Sequence, residues 1–319
     1  MINGVVIGRF MPLHTGHIAL IRTARALADH LTVVICWQPD DEISGALRLQ
    51  WMLEMYPSLR VVGIESPSPN NPDPGLHVLL ADKIKELHSD PINSVIASDR
   101  RQAGLAAALE ARFMLIDPDH QAMPVRSADV LADPLGNWRF IPPAVRPRFA
   151  STICLHGPES TGKTTLAPAL ARHFDTLYVP EYGRTYCEQY GLSLGMEDLV
   201  AIGRTHHALT QALLRECNRR LILDTDPLMT AVWADMLFER RDPWFDAFQS
   251  TAKLYLLLDI DMPWVDDGTR FFGGPRQRQR FFDLSMAELE RRGLDYRIVR
   301  GPADERFERA LEAIADAGR

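Results

Sequence analysis

No window of this 319-residue chain approaches the roughly 20 consecutive apolar residues that a membrane-crossing helix needs. The opening "MINGVVIGRF" also lacks a basic segment followed by a long apolar run, so neither a secretory leader nor a membrane partner is expected. Cysteine is scarce: Cys36, Cys154, Cys187 and Cys217 stand apart, with no C-x-x-C or other metal-ligand spacing. Two of them fall in apolar runs that read as buried strands, which points to reduced thiols in a cytoplasmic protein. Positive charge is not in excess either. Lys+Arg 35 against Asp+Glu 42 gives a net charge of −7 without a local basic patch, which removes nucleic acid as an expected partner. There is no internal repeat, no low-complexity tail and no guanine-reading Asn-Lys-x-Asp stretch.

Short β-branched or apolar runs recur between helix-length segments: "GVVIG", "LTVVIC", "RVVGI", "SVIAS" and "FMLID", then "STICLHG", "TLYVPE", "RLILDTD", "KLYLLLDI" and "DYRIV". Strands alternating with helices predict α/β folds with mainly parallel sheets covered on both faces. Proline and arginine cluster in "NWRFIPPAVRPRFA", where helical periodicity breaks down, so two domains are expected, 1–147 and 148–319. The proline-rich "SPSPNNPDPG", Ser66 to Gly75, sits between a strand and a helix and reads as an active-site or surface loop.

The run from Gly157 through Pro158, Glu159, Ser160, Thr161, Gly162, Lys163, Thr164 and Thr165 matches the Walker A pattern, with a strand before it and a helix after it. Backbone N–H groups of such a loop cradle a β-phosphate, Lys163 reaches the β and γ oxygens, and the Thr164 hydroxyl can ligate Mg²⁺. Pro168 is expected to remove one backbone bond from that helix and bend it. Glu181 ends the next strand, at the crevice where open α/β sheets bind ligands; it is expected to take or orient a substrate hydroxyl proton, or else to serve as an acid at a helix N-terminus. Beside it, Tyr182, Arg184 and Asp226 are assigned to an acceptor. Asp224, closing "LILD", is the expected Walker B acid for the metal, with Asp226 as its alternate. Arg270 is expected to neutralise charge in the transition state, and Arg276 and Arg278 to touch ATP from the same glycine-containing segment, which also holds Arg280. These features favour a small-molecule kinase.

At the start of the chain, "GRFMPLHTGH" places His14 and His17 where a strand gives way to a helix. Imidazoles at the positive end of a helix can bind phosphate oxygens of ATP and stabilise charge during attack at the α-phosphorus. Gly8, Arg9, Phe10 and Gly16 complete this candidate nucleotide site, Gly16 by letting the backbone approach the phosphates. Metal ligation by the two histidines, or a plain helix start, are the competing readings.

With "DPD" at Asp117 to Asp119, "WRFIPPAVRPRF", "GPESTGKTT", "EYGR", "DTD" and "WVDDGTR", these stretches make the chain resemble the bifunctional NadR family over essentially its full length. The resemblance implies a Rossmann-like nucleotidyltransferase domain followed by a P-loop kinase domain. It implies phosphorylation of nicotinamide riboside to NMN, then adenylylation of NMN to NAD, with ATP and Mg²⁺ as cofactors and bound NAD as an option. Some members add an N-terminal helix-turn-helix repressor domain; this sequence opens on the first strand, so a repressor role is not expected. One departure stands out. The family's Ser-x-Thr-x-x-Arg motif corresponds here to "DPDHQAMPVRSADVLADP", where the basic end falls on Leu131 or Ala132 and Asp129 adds negative charge where a guanidinium should attract phosphate. The loop where relatives offer tryptophans reads "PGLHVLLAD". The expectation is therefore an active ribosylnicotinamide kinase joined to an adenylyltransferase-type domain of reduced activity. A fully bifunctional enzyme, with Arg126 or Arg100 substituting in space, and a first domain that senses NAD or ATP without catalysis are the alternatives. The expected partners are small molecules, with self-association left open.

Overall fold

The structure, a computed structural model, describes residues 1–88, 90–265 and 271–317. The chain divides into two compact units, Met1–Arg146 and Pro147–Arg319. In the first, β1 (Asn3–Gly8), β2 (His30–Trp37), β3 (Arg60–Glu65), β4 (Ser94–Ala97) and β5 (Arg112–Leu115) form one parallel sheet in the order β3-β2-β1-β4-β5. All ten apolar runs of the sequence become strands, because each is short, β-branched or otherwise apolar, and alternates with helices. Val5, Val34, Cys36 and Val95 bury one face of this sheet under the Pro74–Glu86 helix and the short helix Ala103–Ala108.

The strand order reverses at β1, which has β2 on one side and β4 on the other. Connections leave in opposite directions there, opening a crevice beyond the carboxyl ends of the strands. The loop 66–73 reaches this crevice through Asn70. Its end is set by Asp73, whose Oδ1 accepts from the Gly75 amide at 2.9 Å, with Pro74 in the first turn of the helix that follows.

In the second unit, β6 (Ser151–His156), β7 (Leu177–Val179), β8 (Arg220–Asp224), β9 (Leu254–Leu258) and β10 (Tyr296–Val299) form a second parallel sheet in the order β10-β9-β6-β8-β7. The central β6 pairs Leu155 with Asp224 of β8 and His156 with Leu257 of β9, so the phosphate loop leaves the middle of the sheet. Ile153 and Leu155 pack against Leu166 and Leu170 of the Lys163–His173 helix, which runs unbroken through Pro168. All four cysteines are free thiols; three are buried and Cys187 is half-buried. Among the described residues no helix is long and apolar enough to cross a membrane.

Candidate functional site

The first unit carries a cleft of about 1430 Å³ at its topological switch point, lined by His14, Gly16, His17, Arg100, Arg101 and Arg126 among others. His14 caps the Thr15–Leu27 helix: its Nδ1 accepts from the Gly16 amide at 3.1 Å, and the Nδ1 of His17 accepts from the His14 amide at 3.3 Å. The rings stack at 3.7 Å between centroids. Since each Nδ1 takes a backbone proton, each neutral ring carries its own proton on Nε2, leaving an N–H donor for a ligand. Burial, then the neighbouring His120, lowers the pKa of His14 to about 4; burial, His14 and His120 hold that of His17 well below its ordinary value. Without a Cβ, Gly16 leaves room for the His14 ring; a methyl there would meet it at 3.0 Å.

The "GRF" stretch supports this pair from behind. Phe10 is buried and meets the His17 ring edge-on at 4.9 Å, while Gly8 leaves space for the Phe10 ring. Arg9 pairs with Asp41, which the fully buried Arg48 also holds. Gly8, Arg9 and Phe10 do not line the cleft. Nor does Asp129, whereas His120 and Arg126 of the same stretch do, together with Arg100 and Arg101 from outside it. Arg101 is paired with Asp99 at 2.5 Å.

The second unit carries a cleft of about 1020 Å³ lined by residues 159–165 of the phosphate loop, by Glu181 and Arg184, and by an apolar end that includes Leu199, Ile202, Trp233 and Phe271. Gly157 and Gly162 both have positive φ, 123° and 88°, and a Cβ on Gly157 would lie 2.7 Å from the Leu258 carbonyl, so the loop's turn depends on glycine at both positions. Lys163, almost fully buried, donates to the carbonyls of Gly157 at 2.8 Å and Pro158 at 2.7 Å, folding its ammonium back over the loop. Thr164 is exposed at the mouth of the helix.

Asp224 is fully buried and neither carboxylate oxygen has a hydrogen-bond partner. Burial raises its pKa to about 6, Glu181 adds to the rise, and Lys163 and the nearby Thr164 hydroxyl oppose it. A buried carboxylate beside a threonine hydroxyl offers oxygen ligands that fit a hard cation carried in with phosphate, and the lysine offers charge to the phosphate itself. Glu181 stands at the N-cap of the Tyr182–Tyr190 helix yet makes no capping bond; its nearest charged partner is Arg184 at 3.9 Å. Its carboxylate thus stays toward the cleft.

Asp226 is placed differently from its expected acceptor or metal role. It caps the Pro227–Phe238 helix, accepting from Leu228 at 3.0 Å and Met229 at 3.3 Å, and takes the Tyr255 hydroxyl proton at 2.6 Å. With both oxygens occupied and 3% exposure, it does not reach the cleft. Arg278 donates to the Met262 carbonyl at 2.9 Å, and Arg276 is exposed on the Pro275–Arg291 helix; neither lines the cleft, nor does Tyr182. Arg270 lies outside the described residues.

The AAA domain family matches residues 152–306, the span that holds the phosphate loop. The trifunctional NAD biosynthesis/regulator protein NadR of Escherichia coli (strain K12) is 28% identical over 344 residues, covering 98% of this chain and 82% of that protein. Its counterpart of the same name in Salmonella typhimurium (strain LT2) is 27% identical, with the same shares covered. The chain is thus similar to NadR over nearly its whole length. A crystal structure of NadR protein in complex with NR superposes with a TM-score of 0.82 at 22% identity, covering 99% of this chain and 96% of that one. Another, in complex with NAD and AMP-PNP, gives 0.79 at 21% identity with the same coverage.

In this NadR-like chain the motif residues that sequence reasoning singles out converge unevenly. Residues 159–165 and Glu181, like His14 and His17, come together at their clefts. Cleft residues without a motif signal were missed: His120 and Asn70 in the first unit, and His206, Thr230, Trp233 and Phe271 in the second. His206 lines the cleft at 2% exposure, and burial lowers its pKa to about 4 against the opposing pull of the Asp224 backbone, so its ring is neutral there.

Proposed function

We propose that the second unit phosphorylates nicotinamide riboside from ATP, giving NMN for NAD salvage. The observation that carries this reading is one cleft in which a phosphate loop, a carboxylate at a strand end and an aromatic wall share a single space. On this reading a flat cationic ring lies against the aromatic wall of Trp233 and Phe271, with its ribose hydroxyl toward the loop. Glu181 accepts or orients the hydroxyl proton as the oxygen attacks the γ-phosphorus and ADP leaves. Lys163 stabilises the β and γ oxygens. Thr164 and Asp224 would hold magnesium, which when bound supplies positive charge against the triphosphate. This reading is supported by NadR protein having been crystallised in complex with NR and in complex with NAD and AMP-PNP.

For the first unit we propose nucleotide binding through the Nε2–H donors of His14 and His17, with adenylyl transfer to NMN reduced by the displaced arginine motif. A second reading, full bifunctionality, is favoured by Arg126, Arg100 and His120 lining the same cleft as the two histidines. One experiment addresses both units: the chain is incubated with ATP, Mg²⁺ and either nicotinamide riboside or NMN, and products are separated by chromatography. NMN forming from the riboside supports the kinase, and its formation must fall by at least about a hundredfold in Lys163→Ala. Retained turnover in that variant sinks the kinase assignment, and robust NAD in the NMN tube replaces the reduced-activity reading with the bifunctional one.

A further inference from the structure

Glu159 is a variable position of the Walker pattern, yet its side chain is engaged. A single carboxylate oxygen, Oε2, accepts from two successive backbone amides, Phe271 at 3.1 Å and Phe272 at 3.2 Å. The next loop residue, Ser160, exchanges hydrogen bonds with the backbone of Val265, both at 3.1 Å. Phe271 lines the cleft and meets Trp233 edge-on at 5.5 Å; Phe272 lies 5.5 Å from the same indole, and both Trp233 and Phe272 pack against Phe281. Of the two loop side chains, it is that of Glu159 that holds the backbone whose aromatic ring walls the cavity.

We propose that Glu159 is a positioning residue: it holds Phe271 in the acceptor wall, so that the loop that takes the triphosphate also sets the surface against which the acceptor's ring lies. This rests on reading the apolar end of the cleft as the acceptor site. The bond needs only an acceptor oxygen, not a charge, so the amide of glutamine can replace the carboxylate. A group that took a proton from substrate or ligated a metal could not be replaced in that way.

The test compares Glu159→Ala, Glu159→Gln, Phe271→Ala and the Glu159→Ala/Phe271→Ala pair in the full chain. Losing two hydrogen bonds to a charged acceptor predicts a rise of about tenfold in the acceptor KM of Glu159→Ala, with the KM for ATP changed by less than about threefold. Glu159→Gln should restore the acceptor KM. Because Glu159 acts through Phe271, the double variant should be no worse than Phe271→Ala alone. Independently of turnover, the Phe271 and Phe272 amides, followed by hydrogen exchange in NMR spectra, should be protected in the native chain and in Glu159→Gln and should exchange faster in Glu159→Ala. Free exchange of these amides in the native chain overturns the inference, as does a Glu159→Gln variant as impaired as Glu159→Ala. If the native chain leaves nicotinamide riboside unphosphorylated, the proposed function fails, and the exchange data still decide the role of Glu159.

Discussion

At Asp224 the chain holds a carboxylate where folding alone would not place one. The side chain is buried, its oxygens are unpartnered, and its pKa stands near 6, against an ordinary value of 3.8. A carboxyl group whose folded pKa is raised costs stability above the folded value, where it is ionised in both states, and the penalty disappears below the unfolded value, where it is protonated in both. Asp224→Asn should therefore raise the stability of the second unit by about 1–2 kcal/mol at pH 8, the unsatisfied amide offsetting part of the gain. The gain should shrink to a small remainder near pH 4, where the folded carboxyl is protonated and the unfolded one about half so, and phosphate transfer should be lost in the same variant. Urea titrations at the two pH values measure the first claim and the riboside assay the second. A destabilised variant at pH 8 would mean that Asp224 is stabilised by the fold and is not held in reserve for a cation. Buried neutral histidines follow the opposite slope: His14 and His206, each with a pKa near 4, contribute stability that is complete above 6.5 and is lost as pH falls toward 4.

At the scale of elements, the phosphate loop is held from a helix that carries none of its motif. Arg306, on the Ala303–Ala317 helix, is 2% exposed and donates to the carbonyls of Thr161 at 2.9 Å, Asp259 at 2.9 Å and Gly301 at 2.7 Å, while pairing with Asp261. Its planar fork spans the loop, the end of β9 and the turn before its own helix, a geometry that a lysine point charge cannot reproduce. Arg306→Ala should cost about 3–5 kcal/mol by stranding those carbonyls and Asp261, and Arg306→Lys should recover only part of it. Denaturant unfolding of both variants checks this; a loss below about 1 kcal/mol would show that water replaces the guanidinium without penalty. Local sequence could not reveal this clamp, because Arg306 lies 145 residues from Thr161 and sits among the charges of an ordinary amphipathic helix. The strands were legible because each is an apolar run bounded by turn residues, and the phosphate loop because its glycines and lysine are fixed by backbone geometry. Asp226 misled because a strand-end acid reads the same whether it meets a ligand or caps the next helix. Trp233 and Phe271 escaped notice because an aromatic residue in an apolar stretch signals core before it signals a cavity wall.

At the scale of the whole molecule, each unit has its own parallel sheet and its own cleft, with a histidine-capped helix at one and a glycine-turned loop at the other. Each cleft is lined entirely from within its own unit, so the two chemistries should be separable by single substitutions. His17→Ala removes one Nε2–H donor and one half of the reciprocal histidine cap of the first unit. On the proposed nucleotide-binding role of that cleft, it should abolish any thermal stabilisation by NAD, a shift worth about 2.7 kcal/mol at a hundredfold excess over Kd, and leave NMN formation from the riboside within about twofold of the native chain. Lys163→Ala should do the reverse, retaining the response to NAD and losing phosphate transfer. Thermal scans with and without NAD, run beside the chromatographic assay on both variants, test the pair together. If His17→Ala also slows NMN formation severalfold, the first unit acts on the second, and the separate sheets must be read as one regulated enzyme; if it does not, each sheet with its own cleft is a sufficient unit of function.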